Sequence, residues 1–337
     1  MNVALTGATG FIGSHILTEL VSHGHGVIAL VRDDTQAVTV AQRGAKAVVV
    51  DLYDTPAVIK VFNDADGAVH TASPGDATSA DLDSAVVDAA VKTYPASGKP
   101  YAHISGLWAF GSNMSITEAS PFKSPALVAF REPIEQRVLA EKGMRGIVIV
   151  SSTAYGDGGG GVPGVLLASP RDSDGNLIML GTGRQHWSTV HVADLANVFR
   201  RVLENDRASG YYVVGDGSNA TVAELTEAAA VAAGAPGAVP GSDDEAKRVH
   251  DSATTSLKCS CSIRARPLTW PAPSLAGSRP TRASLTSFAT AAIGVEWRTG
   301  GLKEEQRDGE RDRGGAQVLL CVVRRHGSRC PGRVLHR

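Results

Sequence analysis

A glycine-spaced turn directly after the first apolar run constrains the fold of this sequence more than any other feature. Residues 2–5 lead into TGATGFIG, which places Gly7, Gly10 and Gly13 three residues apart. In a strand–turn–helix unit, the first glycine permits the tight turn, the second lets a diphosphate approach the main chain, and the third allows close packing of helix on sheet. A helix that begins near Phe11 would direct its positive N-terminus at that diphosphate. We therefore predict a dinucleotide site whose turn comprises Gly7, Thr9, Gly10, Phe11, Ile12 and Gly13.

Short apolar runs alternate with helical patterns as far as about residue 150. The strand candidates are residues 3–6, 26–31, 46–51, 67–72, 101–105 and 146–150. Near-continuous Val, Ile and Ala runs, separated by helices of roughly 10–18 residues, are typical of a parallel sheet covered on both faces. We predict an α/β fold with a doubly wound, parallel Rossmann sheet, in which residues 1–150 form an NAD(P)-binding domain.

The pattern loosens beyond residue 151. The run YGDGGGGVPG predicts a loop in which Gly158–Gly161 act as a hinge over the mouth of the site. A strand at 211–215 precedes a helix over 221–234, where Thr221 and Glu224 have the spacing of a capping box. We expect residues 151–250 to form a smaller C-terminal substrate lobe on the open side of the sheet.

The residues after the second strand bear on the choice of dinucleotide. An acid at this position usually binds the ribose 2′-hydroxyl of NAD, whereas an arginine suits the 2′-phosphate of NADP. The sequence ALVRDD places Arg32 there, followed by Asp33 and Asp34. We therefore favour NADP(H), with NAD and a merely solvated Arg32 as the alternatives.

The composition changes near residue 251. Up to Asp251 the chain has 18 Lys and Arg against 28 Asp and Glu, whereas residues 252–337 have 15 against 6 and hold all four cysteines. Three interpretations of this anomalous basic tail (251–337) are open: a disordered arm that binds a polyanion, a solvated linker, or a slipped reading frame. A one-nucleotide shift, with GC-rich codons, gives residues 275–295 a different sequence that ends in a stop codon. That result favours the frame shift, and the gene sequence would test it.

The composition also limits the possible partners and locations. The first residues already form a strand pattern, and no apolar run approaches the roughly 20 residues that cross a bilayer. Cys259 and Cys261 have no second cysteine pair with which to form a zinc site. We expect a cytoplasmic monomer or homodimer with a small-molecule substrate, no bound metal, and no nucleic-acid or membrane partner.

Four stretches together resemble the short-chain dehydrogenase/reductase superfamily, in its extended and atypical branches that are often called the NAD-dependent epimerase/dehydratase family. They are TGATGFIG, VVVDLYD, GAVHTAS and AHISGLWAFG, and the resemblance extends from Met1 to about His250. It implies that Asp51 and Leu52 lie near the adenine. It also implies that the nicotinamide ribose is flanked by Thr71, Ala72 and Ser73, and that Ser105 hydrogen-bonds the substrate carbonyl.

The resemblance fails at the catalytic pair. In that family a Tyr-x-x-x-Lys pair follows the fifth strand, with the tyrosine as proton donor and the lysine holding the ribose. No tyrosine stands four residues before a lysine in this sequence. When the predicted helix over 125–143 is matched through Glu135, Leu127 takes the tyrosine position and Arg131 the lysine position. Arg131 can anchor a ribose, but its pKa prevents it from exchanging a proton.

Other polar residues must then supply any chemistry. The candidates are Ser105, Arg131 and the phenol of Tyr155, while His103 and His191 are assigned to packing and loop orientation. Two functions are open: an atypical oxidoreductase or epimerase-like enzyme acting on a small carbonyl, hydroxyl or sugar-like substrate, and a non-catalytic NADP(H) sensor.

Overall fold

Strands and helices alternate along the chain in the computed structural model, which describes residues 1–95, 97–242 and 261–263. In chain order the strands are β1 (Asn2–Thr6), β2 (Gly26–Val31), β3 (Lys46–Val49), β4 (Gly67–His70), β5 (Pro100–Gly106), β6 (Asn113–Ile116), β7 (Arg145–Ser151), β8 (Thr153–Tyr155), β9 (Leu177–Ile178), β10 (His186–Trp187), β11 (Thr189–His191), β12 (Gly210–Val214), β13 (Ala220–Thr221), β14 (Ala238–Val239) and β15 (Cys261–Ile263). The α-helices are α1 (Phe11–Ser22), α2 (Asp34–Ala41), α3 (Thr55–Asn63), α4 (Ser79–Thr93), α5 (Arg131–Ala140), α6 (Gly161–Leu167), α7 (Val192–Glu204) and α8 (Val222–Ala232). Short 3₁₀-helices lie at Leu107–Phe110 and Ala126–Val128.

Seven strands form the central sheet in the order β12-β7-β5-β4-β1-β2-β3. Every neighbouring pair in this sheet is parallel. Helices α3, α4 and α5 cover one face through side chains such as Phe62, Val86 and Val138. Helices α1 and α7 cover the other face, where Leu20 and Phe199 are buried. Strands buried on both faces read as apolar runs, so the predicted doubly wound parallel sheet is confirmed.

The smaller lobe is built from short elements around its own apolar cluster. Helices α6 and α8 pack together there, and Leu166, Trp187 and Leu225 are buried between them and the short strands. The predicted capping box is confirmed: the Thr221 hydroxyl accepts from the Glu224 N–H at 3.1 Å, and the Glu224 carboxylate accepts from the Thr221 N–H at 2.7 Å.

Part of the stretch assigned to this lobe belongs to the central sheet. Strand β12 pairs in parallel with β7, with Gly210 opposite Ile147 and Val214 opposite Ser151. Helix α7, which precedes β12, packs against α1 on the central sheet. The chain therefore leaves the sheet after β7, builds most of the lobe, and returns to form the edge strand.

The helix predicted over 125–143 is divided in the structure. A 3₁₀ turn covers Ala126–Val128, and α5 begins only at Arg131. Pro133 explains this start, because proline has no N–H and is tolerated only in the first turn of a helix. A helix running through residue 127 would instead have placed Pro133 in its interior.

Within the described residues, no helix combines the length and the apolar character that a membrane span requires. The interpretations of the basic tail fall on residues outside the described part, apart from strand β15, whose main chain pairs with β6 and β10.

Arg145 joins the start of β7 to the end of α7. Its Nη1 donates to the carbonyl oxygens of Val202 (2.8 Å), Asn205 (2.7 Å) and Ala208 (3.3 Å), and its Nη2 donates to that of Leu203 (2.9 Å). Carbonyls in the last turn of a helix have no partner within the helix, so the guanidinium satisfies those of Val202 and Leu203, which would otherwise need water.

We expect Arg145→Lys to lower the free energy of unfolding by about 2 kcal/mol, because a single ammonium group cannot reach all four carbonyls. Urea unfolding measures the loss. Arg137→Lys is the matched control, since Arg137 lies on the exposed side of α5 and contacts Asp88 and Ser84. If both substitutions lowered the free energy of unfolding equally, the carbonyl contacts of Arg145 would contribute no more to stability than the surface contacts of Arg137.

Candidate functional site

Two of the three glycines of the first turn are packed against main chain, and the third is open. Gly7 has φ +74°, and a β-carbon there would lie 2.6 Å from the amide nitrogen of Ala72. A β-carbon at Gly13 would lie 2.1 Å from the carbonyl oxygen of Gly7. At Gly10 the nearest atom would be the same oxygen at 3.3 Å, with no other atom within 4 Å. Gly7 and Gly13 therefore keep the turn tight, and Gly10 presents an open face.

The N-terminus of α1 opens onto this face. Gly10 is its N-cap residue, no side chain caps it, and its first turn has no acidic residue. The N–H groups of a first helical turn lack partners within the helix and carry partial positive charge. The turn therefore fits an anionic diphosphate, with Thr9 exposed and Phe11 and Ile12 partly buried around it.

Arg32 and Asp33 have different surroundings at the end of β2. Asp33 caps α2, since its Oδ1 accepts from the Gln36 N–H at 2.8 Å. Arg32 is exposed, and within the described residues its guanidinium makes no hydrogen bond or ion pair. The acid that follows β2 is thus engaged by a helix N-terminus, while the arginine is free to meet a ligand.

The ends of β3 and β4 border the same edge of the sheet. After β3, Asp51 is exposed and accepts from the Tyr53 N–H at 3.0 Å, and Leu52 is buried. After β4, the Thr71 and Ala72 N–H groups donate to the hydroxyl oxygen of Thr6 at 3.2 and 3.3 Å. The predicted nucleotide residues at these two strand ends therefore lie on the edge that carries the glycine turn.

Ser73 closes the loop after β4. Its hydroxyl lies 3.3 Å from the hydroxyl of Ser79, the first residue of α4. This contact joins the loop after β4 to the helix that follows it.

A row of buried polar groups runs beneath the ends of β1, β4 and β5. Thr6 Oγ1 lies 2.7 Å from His70 Nδ1, and His70 Nε2 lies 3.1 Å from Asp83 Oδ1. The His70 ring thus lies between the Thr6 hydroxyl and the Asp83 carboxylate, within hydrogen-bond distance of both. His103 Nε2 lies 3.8 Å from the other oxygen of Asp83.

The electrostatics of this row keep His103 neutral and Asp83 charged. Burial, followed by the neighbouring His70, lowers the pKa of His103 to about 3. Burial alone would raise the pKa of Asp83, but its hydrogen bond with His70 and the electrostatic effects of His70, His103 and Arg131 together outweigh burial, and the pKa is lowered. His70 and Asp83 are not among the site residues predicted from the sequence.

Ser105, Arg131 and Glu135 meet at the end of β5. The Ser105 hydroxyl lies 2.5 Å from Glu135 Oε1, and both side chains are buried. Arg131 Nη1 donates to the carbonyl oxygen of Ile104 at 3.3 Å. Burial raises the pKa of Glu135 to about 7, against the opposing effects of the Ser105 hydrogen bond and the Arg131 charge. Glu135 was not predicted as a site residue, yet its carboxyl has a pKa near neutral pH.

Tyr155 and Leu127 lie in contrasting surroundings. Tyr155 is 1% exposed within the lobe cluster, and its ring meets His191 edge-on with 5.4 Å between centroids. Burial, aided by Asp216 and Asp194, raises the pKa of Tyr155, so the phenol keeps its proton. Leu127 is 46% exposed on the 3₁₀ turn before α5. The phenol of Tyr155 is therefore part of the core of the smaller lobe.

The glycine-rich loop rests on the start of α1. A β-carbon at Gly159 would lie 2.7 Å from the ring of Phe11, and Asp157 Oδ2 lies 2.9 Å from His15 Nε2. The loop thus borders the mouth of the glycine turn, and the predicted hinge motion stays a prediction.

Two family models match the chain. Residues 7–97 match the NAD(P)H-binding model, and residues 130–215 match the NAD dependent epimerase/dehydratase family. An uncharacterized protein of Schizosaccharomyces pombe is 29% identical over 219 residues, which span 63% of this chain and 74% of the relative.

Solved structures share the fold. A nucleoside-diphosphate-sugar epimerase from Pseudomonas aeruginosa is 17% identical, with a TM-score of 0.61 over 74% of this chain and 83% of that one. The UDP-glucose 4-epimerase of Thermus thermophilus, in complex with NAD, is 24% identical, with a TM-score of 0.56 over 71% and 86% of the two chains. Residues 7–97 thus match an NAD(P)H-binding family and residues 130–215 an epimerase/dehydratase family, and the chain is NAD(P)-binding and epimerase/dehydratase-like, on the parallel Rossmann-type sheet that the solved structures share.

Proposed function

We propose that this protein is an NADP(H)-dependent oxidoreductase of atypical type, which acts on a small carbonyl, hydroxyl or sugar-like compound without a Tyr-x-x-x-Lys pair. The observation that carries the proposal is the buried cluster of Ser105, Arg131 and Glu135 on the strand edge that also carries the dinucleotide turn. A protein that only bound the nucleotide would have no need of a titratable group at this place.

Different residues of this chain bind different parts of the nucleotide. The glycine turn and the N-terminus of α1 hold the diphosphate, and Arg32 meets the 2′-phosphate. Asp51 and Leu52 border the adenine, and the nicotinamide ribose is flanked by Thr71, Ala72 and Ser73. When bound, the nicotinamide supplies or accepts a hydride.

The substrate oxygen requires a partner other than the missing tyrosine. Leu127 cannot ionise, and Arg131 serves to hold the ribose. Ser105 carries a hydroxyl at the end of β5, on the strand edge that also carries the glycine turn. We therefore assign Ser105 to the substrate oxygen and Tyr155 to packing of the lobe.

A second function, that of an NADP(H) sensor, is favoured by Leu127. A leucine that is 46% exposed at the place of the family's proton donor would suit a surface for a partner as well as an altered active site. Such a sensor would bind the nucleotide through the same turn and turn over no substrate.

Titration of the purified protein with NADPH and NADH, followed by nicotinamide fluorescence, separates these functions. We expect the protein to bind NADPH and to oxidise the bound NADPH with at least one member of a panel of small carbonyl compounds. Binding without oxidation on the whole panel would favour the sensor. If neither nucleotide binds, the assignment of the site is wrong.

We expect Arg32→Ala to weaken NADPH binding about 10-fold while leaving NADH binding unchanged, since only NADPH carries the 2′-phosphate that the guanidinium would pair with. Dissociation constants for both nucleotides measure this difference. Arg43→Ala is the control, because Arg43 is equally exposed and lies just past the other end of α2. Equal weakening of both nucleotides by Arg32→Ala would exclude the 2′-phosphate contact.

A further inference from the structure

We propose that Glu135 is the proton reservoir of the reaction and acts on the substrate through the hydroxyl of Ser105. This inference rests on the proposed function and names the source of the proton that the missing tyrosine would have given. Glu135 does not touch the substrate itself, so it is a positioning and proton-storing residue, and Ser105 is the catalytic one.

The geometry of the pair suits a relay. Ser105 Oγ and Glu135 Oε1 are 2.5 Å apart, at the short end of the range for O–H···O bonds. Glu135 is fully buried and Ser105 is 3% exposed, so Ser105 is the member of the pair nearer to bulk solvent. The next residue, Gly106, ends β5 and leaves open space where a side chain would stand. Ser105 and Gly106 both lie at the end of β5, on the strand edge that carries the glycine turn.

Groups from every packed element tune the Glu135 carboxyl. Ser105 on β5, Arg131 on its own helix and Tyr211 on β12 favour the charged form, whereas burial and Asp83 on α4 oppose it. Burial is the largest of these effects, and the balance sets the pKa of Glu135 to about 7. A general acid works best when its pKa lies near the working pH, since both its forms are then accessible.

The proton and electron balance of carbonyl reduction closes through this pair. A reduced nicotinamide held by the glycine turn would supply a hydride, with its two electrons, to the carbonyl carbon, and the C–O π bond would break. The oxygen takes the hydrogen of Ser105 Oγ, and Ser105 Oγ takes the proton of the Glu135 carboxyl. Glu135 is left as a carboxylate beside Arg131 and regains its proton from solvent after the alcohol leaves. In the oxidising direction every transfer is reversed.

The first test uses the protein without nucleotide. In protein labelled with ¹³C at glutamate side-chain carboxyls, we expect one resonance to titrate near pH 7 and to be absent from Glu135→Gln. A Glu135 resonance that titrates in the ordinary range for glutamate would overturn the proposal, because the carboxyl would then hold no proton at working pH. Glu132→Gln, on the same helix but hydrogen-bonded to Gln136, is the matched control and should leave that resonance in place.

The second test follows oxidation of NADPH against pH, with a carbonyl compound that the wild-type protein reduces. We expect Glu135→Gln and Ser105→Ala each to slow turnover about 100-fold, with loss of the fall in rate above pH 7 in Glu135→Gln. Ser105→Thr keeps a hydroxyl and should recover most of the rate. Thermal unfolding of each variant checks that it is folded.

The outcomes separate this inference from the proposed function. If Glu135→Gln keeps the wild-type rate and pH profile, the relay is wrong and the oxidoreductase stands. If the wild-type protein binds NADPH but reduces nothing on the panel, the proposed function fails and the relay fails with it. A rate loss in Ser105→Ala that Ser105→Thr does not reverse would also overturn the relay, because the hydroxyl would then be irrelevant.

Discussion

Replacing Gly13 by alanine is expected to raise the dissociation constants for NADPH and NADH at least about 100-fold, or by about 2.7 kcal/mol. The added β-carbon would lie 2.1 Å from the carbonyl oxygen of Gly7 and 2.9 Å from the hydroxyl of Thr71. Both neighbours belong to the predicted nucleotide site, so the clash is relieved only by moving α1 away from the glycine turn. The diphosphate would then lose the N–H groups that α1 and the turn direct at it.

A matched control separates loss of nucleotide binding at the glycine turn from loss of protein stability. At Gly146 a β-carbon would lie 2.2 Å from the carbonyl oxygen of Val138, an equally severe clash at the opposite edge of the same sheet. We expect Gly146→Ala to lower the melting temperature as much as Gly13→Ala does, while leaving nucleotide binding as in the wild type. Nucleotide fluorescence and thermal unfolding measure the two effects. Wild-type affinity in a folded Gly13→Ala protein would mean that the diphosphate binds elsewhere.

Replacing Glu135 by glutamine is expected to raise the free energy of unfolding at pH 8 by about 3 kcal/mol and to leave it nearly unchanged at pH 4. In the folded wild type the pKa of Glu135 is raised from 4.5 to about 7, mainly by burial. The folded state therefore holds a proton that the unfolded state has lost, and stability falls as the pH rises from 4.5 through 7. Glutamine stays neutral throughout and avoids that loss, which amounts to about 1.4 kcal/mol per pH unit.

The result must be taken as a difference between the two proteins, because His103 works in the opposite sense. Its pKa is lowered to about 3, so the unfolded state binds that proton first and stability falls as the pH drops below 6.5. This effect is common to both proteins and cancels in the difference. Urea unfolding from pH 4 to pH 8 gives the curve, with Glu132→Gln as the control. A flat difference curve would mean that Glu135 ionises normally in the folded protein.

The elements that could be predicted from the sequence are those set by local rules. The glycine spacing, the strand before it and the near-continuous apolar runs each follow from geometry within a few residues. The capping box at Thr221 and Glu224 is local in the same way. These features predicted the doubly wound sheet and the placement of the glycine turn on it.

The features that depend on long-range packing could not be predicted in the same way. The Ser105–Glu135 contact joins residues thirty positions apart, and Tyr155 became a core residue because the lobe closes over it. Two local signals in the sequence do indicate features of this kind. Pro133 marks the true start of α5, and Asp83 stands at helical spacing from Val86 and Val87 on the apolar face of α4. An acid on an apolar helix face implies a buried partner, here His70.

The position of β12 at the sheet edge has a consequence for synthesis of the protein. Strand β7 gains this neighbour only after residues 152–209 have been added, since the chain builds most of the lobe before it returns to the sheet. At ordinary translation rates that interval is on the order of 3 to 12 s. Throughout it the nascent protein carries an unpaired, apolar edge, which is the kind of surface that other chains pair with. The step that protects the growing chain is therefore the arrival of Gly210–Val214.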